Sequence, residues 1–194
     1  MVASRTMPSI FGREMSGGCE RWRNAWGIPN QLVVLPTLFF IGGELSERCF
    51  FYIFALYLLL DFALGELDVM IMAHHAVCLF GHLMVAGLLY DIGASTYMAG
   101  VVALEVGGGF ANIYDVHASA DWPAIAFVVG MTASNTLAAV IAWEWALLPL
   151  PMVPKALTLL LTVGLLVMRQ KSALEAGWDA VSNMIRRREM HLEQ

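Results

Sequence analysis

Between residues 31 and 168 the chain carries only two basic residues, Arg48 and Lys155, in 138 positions. A run that long and that poor in positive charge has few ways to fold in water. A soluble domain presents a polar exterior in which about a quarter of the residues are charged. Here 14% of the 194 residues are charged and 59% are hydrophobic, and the mean hydropathy is +0.67. So much apolar surface cannot be hidden in one soluble domain. The composition excludes a soluble enzyme, a nucleic-acid binder and a disordered tail protein, and it leaves a membrane protein.

A helix needs about 20 apolar residues to span the hydrocarbon core, so 138 residues hold about six spans. Helices are expected because an open sheet in lipid leaves backbone groups unpaired. Turn and charge punctuation places them near 28–44, 48–64, 69–90, 94–114, 123–149 and 152–168. The first contains Pro36 and is expected to be kinked or partly interfacial. The six tryptophans, Trp22, Trp26, Trp122, Trp143, Trp145 and Trp178, fall near span boundaries, where indole rings prefer to lie. The fold class expected is all-α: a polytopic bundle with a cytosolic segment 1–27, a transmembrane domain 28–168 and a cationic amphipathic tail 169–194.

Nine of the 11 Lys and Arg lie near the ends: Arg5, Arg13, Arg21, Arg23, Arg169, Lys171, Arg186, Arg187 and Arg188. Positive flanks stay cytosolic, so both termini are expected there, which an even number of spans satisfies. In the tail, Leu174, Trp178, Val181 and Ile185 share one helical face. With Arg186–Arg188 directly after, an interfacial helix against anionic lipid headgroups is expected. The odd trio Cys19, Cys49 and Cys78 indicates neither a disulfide framework nor a zinc site. No oligomeric state follows from these patterns.

Function in such a chain belongs to polar groups inside the spans, where a charged side chain costs on the order of 3 kcal/mol and requires a partner. The third span carries Asp68, His74, His75, Cys78 and His82. Asp68, His75 and His82 are seven apart and share a face, while His74 meets Cys78 at i+4. Such a face offers an imidazole for proton transfer or a hydrogen bond to a lipid headgroup; interhelical hydrogen bonding is the structural alternative. Five histidines are too few for a di-iron hydroxylase, so no metal is assigned, although His75, His82 and a carboxylate could hold a single ion. Tyr57 and Asp61 are i, i+4 neighbours, and a tight turn returns Asp61 towards the histidine helix. In the fourth span, Glu105 and Asn112 share a face with Gly107–Gly109 between them. Three glycines in a helix signal close approach of a neighbour or a break that opens a cavity. In the fifth span, Gly130, Ser134 and Ala138 form a small-residue packing stripe with Asn135 beside it.

Three ordered segments resemble those of the TLC-domain family, whose members include ceramide synthases. They are Leu56-Tyr57-Leu58-Leu59-Leu60-Asp61-Phe62, the pair His74-His75 with Asp68 before it, and Glu105-Val-Gly-Gly-Gly-Phe110-Ala-Asn112. The resemblance runs from about residue 45 to 168. Gly107–Gly109 replace a Ser-Thr-Pro of the family pattern, Cys78 replaces a Thr, and the paired acids of the synthases have no counterpart between 83 and 121. The resemblance therefore points to the non-synthase branch, and it implies a TLC-like bundle in an endomembrane such as the endoplasmic reticulum. It also implies a role in lipid homeostasis. Tyr57, Asp61, His74, His75, Cys78, His82, Glu105 and Asn112 are then the residues expected around a bound lipid or acyl chain. Two alternatives remain. One is an N-acyltransferase using acyl-CoA as substrate, no cofactor, and His74, His75 and Asp61 in catalysis. The other is a scaffold or cargo receptor without activity.

Overall fold

A computed structural model describes residues 26–64, 69–117 and 122–192. Asp68 and the N-terminal arginines lie outside the described residues. Among the described residues every regular element is helical. A π-helical stretch, Asn30–Val34, leads into α1 (Leu35–Ile41), followed by α2 (Glu44–Leu64) and α3 (Val69–Met84). A second π-helical stretch, Val85–Leu89, precedes α4 (Tyr90–Val116); α5 (Trp122–Leu147) and α6 (Met152–Leu192) complete the order.

Among the described residues, three helical stretches are long and apolar enough to cross a membrane: His74–Val116, Trp122–Leu147 and Met152–Ser182. The first does not run straight. The backbone breaks at Leu89, with φ −125° and ψ 12°, and Tyr97 Oη donates to the carbonyl of Cys78 at 3.4 Å. Nineteen residues of straight helix would hold those groups about 28 Å apart, so α3 and α4 are antiparallel neighbours. α2 has 21 residues, but Glu44, Glu47, Arg48 and Asp61 set it apart from the three apolar stretches.

The segment expected to span 28–44 is a short apolar helix, Asn30–Ile41. Pro36 lies directly after the π-helical stretch, at the start of α1, in a chain that is helical on both sides of it. The wider π-helical turn just before it absorbs the ring. Gly42 and Gly43 then adopt φ +66° and +83°, a conformation a side chain resists, and reverse the chain into α2. Ser46 Oγ donates to Leu38 O at 2.6 Å and closes the turn.

The remaining helices pack in antiparallel order. A Cβ at Gly93, near the start of α4, would lie 2.9 Å from the Trp145 ring near the end of α5. At the other end, Tyr114 and Phe127 stack with centroids 5.5 Å apart. Between α5 and α6, Trp145 Nε1 donates to Thr158 Oγ1 at 2.8 Å, and Gly177 meets Val128. The main core gathers Phe50, Phe54 and Leu58 of α2 with Leu35, Val85, Met98 and Val101.

One open alternative is decided and one expectation is corrected. The Gly107–Gly109 run does not break α4, which stays helical throughout; the glycines serve close approach instead. The tail is not a separate helix, because Met152–Leu192 is one continuous element. Its apolar face, Leu174, Trp178, Val181 and Ile185, is exposed as expected, but it continues the apolar surface above it. Arg169 consequently lies inside the bundle and does not mark its edge.

Candidate functional site

The buried polar groups assemble around Gln31, a residue that no local sequence pattern marks. Its amide Nε2 donates to Tyr57 Oη at 3.0 Å and to Glu105 Oε2 at 2.7 Å. Its Oε1 accepts from Asn112 Nδ2 at 2.8 Å. Glu105 and Asn112 do share a face of α4, and that face meets the π-helical stretch before α1. Glycine makes the approach possible: a Cβ at Gly108 would sit 3.0 Å from Gln31 Nε2, and one at Gly109 would sit 2.5 Å from Leu32 Cδ2.

The expected Asp–His contact also forms. Asp61 Oδ2 and His75 Nε2 lie 2.8 Å apart, both side chains almost fully buried, and the Tyr57 ring is 6.3 Å from the imidazole. Tyr57, Asp61, His75, Glu105 and Asn112 are thus brought together. His82, two turns along the same face of α3, is packed among the rings of Phe51, Phe54 and Tyr97. No group of three metal-ligating side chains occurs among the described residues, and the trio of His75, His82 and a carboxylate does not converge. His74 turns away from this network and meets Cys78, whose sulfur is 3.7 Å from Nε2.

A second polar cluster sits on the far side of α4. Arg169 donates to Leu104 O at 2.6 Å through Nη2 and to Asn135 Oδ1 at 3.2 Å through Nε. Asn135 Nδ2 donates to Gln170 Oε1 at 3.0 Å, and Ser134 Oγ donates to Ala103 O at 2.5 Å. Gly107 makes room here, since a Cβ would collide with Ser134 and would lie 2.6 Å from Arg169 Nη2. The small-residue stripe of α5 is packing, as expected: Gly130 faces the Phe110 ring. Gln31 and Arg169 were legible only as costly groups in apolar surroundings. Gln31 lies in the first apolar segment, whereas Arg169 reads as a boundary residue unless the helix is known to continue.

Between α3, α4, α5 and α6 lies a half-open cavity of about 120 Å³. Its walls are Val77, Val101, Leu104, Ile141, Leu165 and other apolar groups, with Cys78, Thr96, Tyr97, Thr158 and Thr162 as the polar ones. Among the described residues no charged side chain lines it. Of the eight residues expected around a lipid, only Cys78 reaches this wall.

Comparison with protein-family models, curated proteins and solved structures gives no match.

Proposed function

We propose that the chain is a multi-pass membrane protein of lipid homeostasis that holds an acyl chain, or a similar uncharged part of a lipid, in the cavity between α3 and α6. The observation that carries this proposal is the lining: apolar walls whose polar groups are hydroxyls, a thiol and the Trp145 indole, in a space comparable to engineered cavities of about 150 Å³ that bind benzene and so sized for a short stretch of hydrocarbon. An ionised headgroup finds no counter-charge on these walls, whereas a hydrocarbon chain does not need one. On this reading the chain crosses an endomembrane such as the endoplasmic reticulum about six times with both termini cytosolic; the support for membrane insertion itself is the three long apolar stretches. The TLC-like motifs support the same assignment. Arg186–Arg188 then meet anionic headgroups just beyond the apolar part of α6.

The test is photocrosslinking of a diazirine fatty acid to purified protein in nanodiscs. Ala142→Phe, which fills the cavity from its wall, is expected to abolish labelling of cavity peptides. Unchanged labelling in a folded Ala142→Phe protein refutes the proposal.

A second reading, the acyl-CoA-dependent N-acyltransferase, draws on the Asp61–His75 contact, because a carboxylate that fixes an imidazole is how a general base is held. Acyl-CoA and a long-chain base supplied to the reconstituted protein would then yield an amide, and His75→Ala would not. Absence of turnover from folded protein removes this reading.

A further inference from the structure

Three sides of the half-open cavity are closed by contacts between its own walls. Between α3 and α4, Tyr97 Oη donates to Cys78 O at 3.4 Å, and a Cβ at Gly81 would lie 3.7 Å from the Tyr97 ring. Between α4 and α5, a Cβ at Gly100 would lie 3.6 Å from Ile141. Between α5 and α6, Trp145 Nε1 donates to Thr158 Oγ1 at 2.8 Å. The buried Trp145 ring, set against Gly93 near the start of α4, also closes the end nearest water. The fourth side lies between α3 and α6. There Phe80 is 42% exposed, the one exposed large apolar side chain among the described residues of the lining. Successive helical residues turn by about 100°, so Phe80 stands on the outer edge of α3 while Cys78 and Gly81 face inward. On α6, Leu161 of the lining shares an edge with the exposed Leu157 and Met168.

The depth of this mouth follows from the same contacts. Arg169 meets Leu104, and Trp145 joins Thr158 to the level of Gly93, so α4 and α6 run in the same direction and in step. Leu161 is then level with Thr96, and Phe80 with Tyr97. The middle of α4 (Tyr90–Val116) falls at Ala103, so Thr96 lies about 10 Å from it at 1.5 Å per residue. Half the hydrocarbon thickness is about 15 Å. On the membrane and lipid-site readings proposed above, on which this inference rests, the mouth faces the tails of one leaflet. That leaflet is the one beside the Gly42–Gly43 turn, because Tyr90 Oη donates to Glu47 Oε2 at 3.2 Å and ties the start of α4 to the start of α2. A fatty acid arriving from water would have to part Trp145 from Thr158. A phospholipid chain already lies at the depth of the mouth while its headgroup stays at the interface.

We propose that the acyl chain of a bilayer phospholipid enters the cavity sideways between α3 and α6, past Phe80, from the leaflet beside the Gly42–Gly43 turn. The test uses protein in vesicles, its orientation read from protease access to a C-terminal tag. Phosphatidylcholine with a diazirine in one acyl chain is placed in one leaflet at a time, and labelling that Ala142→Phe removes counts as cavity labelling. The turn-side leaflet is expected to label the cavity severalfold more than the opposite one. Phe80→Ala is expected to raise the labelling rate severalfold, whereas Leu83→Ala, exposed on α3 outside the lining, is expected to leave it unchanged. Equal labelling from both leaflets, more from the opposite leaflet, a rate that Phe80→Ala does not raise, or one that Leu83→Ala raises as much overturns the side entrance. Cavity labelling by a diazirine fatty acid added in water, with none by the phospholipid, overturns the entrance and leaves the lipid site standing. No cavity labelling by either probe overturns the lipid site itself.

Discussion

Replacing Gln31 by Met tests whether the buried polar network holds the helices together. The substitution keeps side-chain length and removes three hydrogen bonds: those to Tyr57 and Glu105, and the one accepted from Asn112. The two neutral bonds are worth about 0.6 kcal/mol each in a membrane interior. The third ends on a carboxylate and contributes about 1.5–3 kcal/mol. The expected loss is therefore about 3 kcal/mol, which for a chain of this size lowers Tm by about 9 °C. Thermal unfolding in detergent micelles, followed by size-exclusion chromatography of heated samples, measures it. Most of the loss comes from leaving Glu105 without its donor, so Glu105→Gln in the Gln31→Met background should cost less than it does alone. The coupling between the two sites is expected to exceed about 1 kcal/mol. A Gln31→Met loss below about 1 kcal/mol, or additivity of the two changes, refutes the reasoning.

The glycines separate close approach from mere helix content. Gly107→Ala drives a Cβ into Ser134 and Arg169 and should destabilise by about 2–3 kcal/mol, whereas Gly164→Ala points into open space and should gain up to about 1 kcal/mol in helix propensity. Equal effects of the two alanines in one thermal assay would contradict this. At the buried Asp61–His75 contact, Asp61→Asn and His75→Gln are each expected to cost about 3 kcal/mol. Their double variant should cost clearly less than the sum; strict additivity in the same thermal assay means the two groups do not depend on each other.

The helices were legible in the sequence because apolar runs between turn signals set their lengths. The pairing of Asp61 with His75 was also legible, since only four residues separate their helices, and so was the i, i+4 contact of His74 with Cys78. What the sequence hid has a common cause. Gln31 meets Glu105 across 74 residues and Asn112 across 81, and no local pattern encodes such a contact. Arg169 misled for a related reason. A cation after an apolar run marks a boundary when the helix ends, but α6 continues to Leu192, and Asn135 and Leu104 O accept from the guanidinium inside the bundle. The glycine run of α4 was read with two outcomes open, and packing chose between them: Ser134, Gln31 and Leu32 crowd the three positions in turn.

The division of the polar residues carries a consequence for the proposed lipid site. Successive residues of α3 turn by about 100°, so His75 and His82 face α2, and Cys78, Gly81 and Val85 face the cavity on an adjacent arc. Asp61 is engaged with His75 at 2.8 Å and Gln31 with Glu105 at 2.7 Å, and recruiting them to a headgroup would mean breaking bonds already made in a dry interior. Recognition in the proposed site would therefore rest on shape and on the hydroxyls of Thr96, Tyr97 and Thr162, with no charge on its walls to select a headgroup. A hydrocarbon pocket distinguishes chains that differ by one methylene only modestly, by about 1–3 kcal/mol. If the proposed site holds a lipid, changes in the network are expected to act through stability, and changes at the cavity wall on which chain is held.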